Sequence, residues 1–336
     1  MGFINTDDVA AHYRSKAVDL ESQRVLITSL HGSEQEADLS VPVNCEGMGR
    51  VHHFRRFVDI NWPTNPLPID PASAALDRKP SDVLRAQVFQ NAVCNWRCWY
   101  CFVDFKLLRG DHRYSRWTTP AMLLDLFLAE EDRAPVIDLS GGQPDLVPEW
   151  VLWTMKAMKE KGLEGTYYLW SDDNLSGDYF WRFLSEAERE FIATFRGYGR
   201  VGCFKGFNSS SFSFNTKAAP DLFERQFQVF NRLLSTGIDL YAYATFTTPD
   251  ATNIRDDMKR FVDRLQEIDA NLPLRTIPLK VFPFSPVTSR NIPDQDAAFA
   301  NQLIAIQRWQ EELQERFSAE DRATPIQNIR YAPRFL

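Results

Sequence analysis

Residues 83–102 read VLRAQVFQNAVCNWRCWYCF. A run with strand composition, Val83 to Val93, passes directly into a loop that carries three of the chain's 5 cysteines: Cys94, Cys98 and Cys101. Their spacing is C-x3-C-x2-C, and three thiolates so spaced can face one point when the chain loops around it. Thiolates are soft ligands, suited to zinc or to an iron–sulfur cluster. A structural zinc site normally closes with four protein ligands, and no fourth Cys or His lies close in sequence. Three ligands suit a [4Fe-4S] cluster with one iron left open. A chance grouping or an incomplete zinc knuckle is the competing reading.

Downstream of this stretch, strand and helix patterns alternate. Helices are expected over Thr119–Asp132, with Thr119 as cap and Pro120 at the first helical position, and over Pro148–Lys161. Further helices are expected around Glu186–Glu190, over Pro220–Leu234, Asn253–Ile268 and Asp294–Phe317. The strands between them are Pro135–Ser140, Gly165–Trp170, Arg200–Phe204, Ile238–Thr247 and Thr276–Phe284, while Ser209–Ser213 reads as a serine-rich loop. Strict alternation implies parallel strands joined by right-handed crossovers. Six units are fewer than the eight of a closed barrel, so the expected fold is α/β: an open, partial (β/α)6 TIM-like barrel. Such architectures place their chemistry at the carboxyl ends of the strands, where the cysteine loop sits.

A second element follows strand two: Gly141-Gly142-Gln143-Pro144. Two glycines remove both Cβ atoms, which permits close approach and positive φ. The cysteine spacing, with Tyr100 before the last Cys, and a GG-x-P turn one strand later resemble the signature of the radical S-adenosylmethionine (radical SAM) superfamily. The resemblance covers roughly residues 83–317 and implies the same open barrel. It implies one [4Fe-4S] cluster held by Cys94, Cys98 and Cys101, with SAM chelating the open iron. It also implies contacts to the SAM amino group from Gly141, Gly142, Gln143 and Pro144. Gln143 stands where the family usually has Glu, so the side chain can accept a hydrogen bond but brings no charge.

Other positions match more loosely. Ser171, Asp172, Asp173 and Asn174, at the end of strand three, look like the polar group that contacts the SAM ribose or carboxylate in some members; helix capping is the competing role. Lys205 sits where members carry polar SAM contacts and would pair with the SAM carboxylate or an anionic substrate, unless it is a surface charge. Tyr100 and Phe102 would lie near the adenine, or would simply pack the barrel mouth. In the family, the reduced cluster cleaves SAM to methionine and a 5′-deoxyadenosyl radical that removes hydrogen from substrate. An electron donor such as flavodoxin or ferredoxin is implied as partner. There is no second cysteine cluster towards the C-terminus, so auxiliary-cluster chemistry is not expected.

Composition bounds the rest. Of 336 residues, 44% are hydrophobic, enough for a substantial core. A net charge of −7 argues against a broad nucleic-acid footprint. No apolar run is long enough to span a bilayer, and the polar start does not read as a secretory signal. Five cysteines with three clustered do not form a disulfide framework, so a cytoplasmic protein is expected. Residues 1–82 read as an N-terminal extension: a short helix over Asp7–Leu20, a strand over Arg24–Leu30, a polar loop over Asp38–Arg50 carrying Cys45, and a proline-rich stretch, Pro63–Pro80, expected to wrap the barrel without regular structure. Residues 83–317 would form the barrel and 318–336 a tail. The extension and tail favour a closed site for a small-molecule substrate; an activase of a glycyl-radical enzyme, a peptide or RNA modifier, or a non-catalytic metal protein are the alternatives.

Overall fold

The computed structural model describes residues 2–332. In chain order the elements are α1 (Thr6–Ala17), β1 (Val18–Asp19), β2 (Arg24–Thr28), β3 (Gly49–Arg55), α2 (Ile69–Ala75), β4 (Val83–Phe89), β5 (Ser115–Thr118), α3 (Pro120–Ala129), β6 (Val136–Leu139) and α4 (Glu149–Glu160). There follow β7 (Tyr168–Asp173), α5 (Tyr179–Phe183), α6 (Glu186–Thr194), β8 (Tyr198–Phe204), α7 (Ser209–Thr216), α8 (Leu222–Leu234), β9 (Leu240–Thr245), α9 (Ile254–Ile268), β10 (Thr276–Leu279), α10 (Ser285–Arg290), α11 (Gln295–Arg316) and α12 (Ala319–Ala323).

The main sheet has seven strands in the order β10-β9-β8-β7-β6-β4-β3. From β4 to β10 neighbouring strands are parallel. Because these six follow one another in chain order, right-handed crossovers put the intervening helices on one face. The result is the expected open six-unit barrel, with a helical outer face and a concave inner one. The outer face packs Ile137, Leu139, Leu169 and Phe204 in one core with helical side chains such as Leu152, Phe227 and Phe261. The inner face packs Ala86, Val136, Trp170, Val201 and Tyr241 in a second core, plugged by Leu67, Ile69 and Ala72 from the N-terminal region and by Ile326 from the C-terminal region.

The segment of residues 2–82 packs onto this barrel and adds a strand to it. β3 pairs antiparallel with β4 as a seventh strand, and β1, β2 and β5 form a separate antiparallel sheet. The chain then crosses from the β3 edge to the β10 edge. Trp62 Nε1 donates to the Pro278 carbonyl at 2.9 Å, and Lys280 pairs with Asp59. Ser285 donates through its backbone N–H and its hydroxyl to Asp38, each at 2.9 Å. The open seam of the barrel is therefore bridged by the chain's own N-terminal segment.

Several expected boundaries move. The strand expected over Gly165–Trp170 runs instead from Tyr168 through Asp173, so Ser171–Asp173 belong to it. Ser209–Ser213 is helical within α7: Asn208 and Ser211 form a reciprocal capping box and Phe212 is buried. The proline-rich stretch contains α2, with Pro71 in its first turn, where a missing N–H breaks no helical bond. The expected loop ends at Gly49, where β3 begins. Among the described residues no helix is long and apolar enough to cross a membrane.

Candidate functional site

The cysteine loop leaves β4 at the carboxyl end of the barrel and is strapped down from several sides. Arg97 Nη1 donates to the carbonyls of Cys94 and Trp96 at 2.6 and 2.7 Å, and its Nη2 donates to the Tyr13 hydroxyl at 2.6 Å. Trp96 Nε1 donates to Thr6 Oγ1 of α1 at 3.0 Å. From α10, Arg290 donates to the carbonyls of Trp99, Cys101 and Val103.

Asn215, near the end of α7, joins three strand ends. Its Oδ1 accepts from Trp99 Nε1 at 2.9 Å and from Thr247 Oγ1 at 2.7 Å, and its Nδ2 donates to the Lys205 carbonyl at 3.0 Å. Its own carbonyl accepts from the Trp99 N–H at 3.1 Å.

All five cysteines are free thiols. Cys94, Cys98 and Cys101 are half-buried, and their charges would act on one another. Burial pushes the Cys94 thiol up, and burial with its two sister thiols pushes Cys98 to about 12, against the pull of Lys205. Cys94 and Cys98, with raised thiols beside Lys205, would ionise more readily against a bound cation or cluster. Among the described residues no three His, Cys, Asp or Glu side chains converge as ligands of a single ion. A cuboidal cluster makes a different demand, because each thiolate binds a different iron. The donor chemistry present, three free half-buried thiols on one loop, is of the kind such a group takes. Cys45 lies elsewhere: it is buried, its N–H donates to Glu130 at 3.0 Å, and burial raises its thiol to about 12.

The glycine turn docks onto the backbone just ahead of the cysteines. Gln143 N–H donates to the Val93 carbonyl at 2.8 Å, and Asn91 Nδ2 donates to the Gln143 carbonyl at 3.1 Å. Gly141 and Gly142 have φ of +85° and +69°. A Cβ on Gly142 would stand 2.3 Å from the Asn91 carbonyl oxygen and 2.7 Å from that of Val93. The second glycine is thus required by contact between two loops of the chain itself.

The side chain of Gln143 turns to the helical side. Its Nε2 donates to Asp173 at 2.8 Å and its Oε1 accepts from the Asn174 N–H at 2.9 Å. Arg200 bridges Asp173 and Asp145, at 2.6 Å each. Ser171 is held by the Tyr198 hydroxyl at 2.7 Å. Asn174 donates to Asn95 at 3.1 Å and approaches Cys94 Sγ at 3.9 Å, while Pro144 starts a short 3-10 turn. Ser171, Asp173 and the Gln143 side chain therefore brace the mouth from outside, and Asp172, between them on the strand, faces inward.

Register places the inward set. Arg50 is opposite Val88, Val88 opposite Asp138 and Asp138 opposite Trp170, so these four share the concave face. His52, Asp172, Cys203 and Tyr243 lie on that face in neighbouring rows. Lys205 continues the same alternation just beyond β8, and its half-buried side chain feels Cys203, Tyr100, Cys98 and Asp172. Burial lowers His52 to about 3, assisted by Arg50. Phe102 lies at the same mouth, with the Arg50 guanidinium 5.1 Å from its ring centre. Tyr100 packs edge-on against Trp99.

Two of these residues are left open by their surroundings. Arg50 is 5% exposed and Asp138 is 2% exposed, yet among the described residues Arg50 Nε and Asp138 Oδ1 have no hydrogen-bond partner. Sequence reading passed over both, and over Asn215 and Arg290. Asp138 had a signal, as a lone acid in the apolar run VIDL. A cleft of about 520 Å³ lies on the outer side of the mouth, where Asn95 of the cysteine loop and Gln143 of the turn meet α1, α5 and α8, and one of about 740 Å³ lies between α8 and α9; neither is lined by Arg50 or Asp138.

No family model matches the chain, and no curated protein matches it. Among solved structures, Streptococcus suis SuiB bound to precursor peptide SuiA is 17% identical with a TM-score of 0.38, over 54% of this chain and 36% of that one. SuiB bound to S-adenosylmethionine gives the same identity and TM-score, over 54% and 37%. TYW1 with a lysine-pyruvate adduct bound is 10% identical with a TM-score of 0.36, over 57% and 74%. The match spans little more than a third of the SuiB chains.

Proposed function

We propose that this chain is a radical SAM enzyme in which Cys94, Cys98 and Cys101 hold a [4Fe-4S] cluster. The carrying observation is the placement of the three free thiols on one loop, at the carboxyl-end mouth of an open six-unit parallel barrel whose concave face holds buried polar atoms without a partner among the described residues. When bound and reduced, such a cluster supplies the electron that cleaves SAM and yields a 5′-deoxyadenosyl radical able to take hydrogen from a substrate.

The chain's own residues then have distinct tasks. Arg97, Arg290 and Asn215 fix the loop's shape, and buried Trp96 and Trp99 keep water from its back. Lys205 and Asp172 offer a cation and a carboxylate to the amino-acid end of SAM, and the glycine turn offers its backbone from the end of β6, the strand next to that of Asp172. Phe102 and Tyr100 offer aromatic walls. A flavodoxin- or ferredoxin-type donor and a reducing, cytoplasmic setting complete the proposal.

The substrate we favour is a small molecule, because Asp38, Asp59 and Trp62 of the N-terminal segment bridge the barrel's seam. A second reading, a peptide or RNA segment entering the mouth, is favoured by Phe57, Ile60 and Phe284, which are 63%, 96% and 39% exposed on and beside that bridge.

Anaerobic reconstitution followed by reduction with SAM tests the proposal. The expected result is a brown protein with about four irons, as for a single cuboidal cluster, that releases 5′-deoxyadenosine. Anaerobically purified protein that holds zinc in place of iron would sink it.

A further inference from the structure

The concave face carries more charge than one SAM molecule needs. Lys205 and Asp172 stand on the β7–β8 side, whereas Arg50 and Asp138 stand on β3 and β6, in one register row with Val88 between them. No ion pair involves Arg50 or Asp138 among the described residues; Asp138 Oδ2 accepts from Ser140 Oγ at 2.9 Å, and its Oδ1 accepts from nothing. The Arg50 guanidinium lies over Phe102 beside the cysteine loop, and the carboxylates whose charge would act on it are Asp138 and Asp172.

Buried charges are ordinarily paired and hydrogen-bonded. Here an arginine and an aspartate share a face, each with an open polar atom. Burial, with Asp172 nearby, raises the Asp138 carboxyl well above its usual range, so it takes its negative charge only when a cation is placed against it. A purely anionic ligand would satisfy Arg50 but give the Asp138 carboxyl no cation, and a purely cationic one would meet Asp138 but be repelled by Arg50. A guanidinium fork suits a planar carboxylate, and a carboxylate suits an ammonium. The strand that supplies Arg50 is the extra one, added to the barrel's edge by the N-terminal segment.

We infer that Arg50 and Asp138 form the substrate subsite and that the substrate is a free α-amino acid, its carboxylate on Arg50 and its ammonium on Asp138. This rests on the radical SAM reading for the reaction but not for the binding. An internal peptide residue or a nucleotide base carries neither of these charges, so the inference also selects the small-molecule reading over the macromolecular one.

The test is anaerobic binding to the reconstituted, SAM-loaded protein, read by saturation-transfer NMR and then by titration. The probes are a mixture of the twenty L-amino acids, the matching amines without the carboxylate, and the matching acids without the ammonium. At least one amino acid should bind, and its amine and acid counterparts should bind at least about a hundredfold more weakly. Arg50→Met and the isosteric Asp138→Asn should each lose that binding by a similar factor, Arg50→Lys should recover part of it, and SAM affinity should stay within about threefold throughout.

Binding by none of the twenty overturns the inference, as does equal binding of the amines or an Arg50→Met variant that binds unchanged. Loss of SAM affinity in Arg50→Met would hand the residue to SAM and also overturn it. Amino-acid binding in a protein that makes no 5′-deoxyadenosine would sink the radical SAM reading and leave this one standing.

Discussion

Gln143 and Asp173 are locked side chain to side chain: Gln143 Nε2 donates to Asp173 Oδ1 at 2.8 Å, and the other oxygen of Asp173 is held by Arg200 at 2.6 Å. A glutamate at 143, the residue the family resemblance would restore, places a carboxylate against a buried carboxylate. Gln143→Glu should therefore lose about 3 kcal/mol or more of stability, and Gln143→Ala about 1–3 kcal/mol, for the partners left unpaired. Urea unfolding of the purified variants measures both. Wild-type stability in Gln143→Glu together with tighter SAM binding would show that the side chain serves the ligand.

Gly142→Ala should be far more damaging than Gly162→Ala, although their φ values of +69° and +68° are nearly equal. At 162 a Cβ meets nothing within 4 Å, whereas at 142 it meets the Asn91 carbonyl oxygen at 2.3 Å. Gly162→Ala should cost about 1 kcal/mol, the strain of a left-handed alanine. Gly142→Ala should also separate the turn from the cysteine loop, so iron uptake should fall with stability. Equal melting temperatures for the two variants would refute the loop-to-loop argument.

Cys94→Ala, Cys98→Ala and Cys101→Ala should each abolish iron retention, since a cluster held by three thiolates has no spare ligand. Cys45→Ala should keep its iron, and so should Cys203→Ala, although Cys203 shares the barrel interior with Cys98. Iron assays after anaerobic reconstitution decide it. Bleaching in Cys45→Ala would place the N-terminal segment in the metal site.

Asp172 gives a pH signature. Burial pushes its carboxyl up to about 6 against the pull of Lys205 and Arg50. A raised carboxyl binds its proton more tightly when folded, so this residue's contribution to stability is lost as pH rises from about 4 through about 6. Asp172→Asn should remove that loss: measured on protein without cluster, its melting temperature relative to wild type should be higher at pH 8 than at pH 4.5. A constant difference across that range would contradict the assignment.

The outer layer of the barrel was legible because helices such as α8 and α9 show the 3.6-residue apolar period against strands buried on both faces. The inner layer was less so. β3 turns Arg50 and His52 towards the barrel, which inverts the rule that charged residues face out and hides the strand from any hydrophobic pattern. α7 was concealed by a serine run of weak helix propensity that a capping box and the burial of Phe212 rescue. Cysteine spacing and the GG-x-P turn marked the loops of the candidate site, but no local pattern could show that Asn215 ties those loops together, because its partners lie 32 and 116 residues away.

The straps on the cysteine loop bear on the order of assembly. The backbone around Cys94, Cys98 and Cys101 finds its hydrogen bonds in Arg97, Arg290, Asn215 and Thr216, all of them protein groups present as soon as the chain has folded. Small zinc domains differ, for there the ion itself drives folding. If the proposed cluster is bound, these straps let the polypeptide complete its pocket first, and insertion should be a late, local event at the barrel mouth, repeatable after oxidative loss without unfolding the chain.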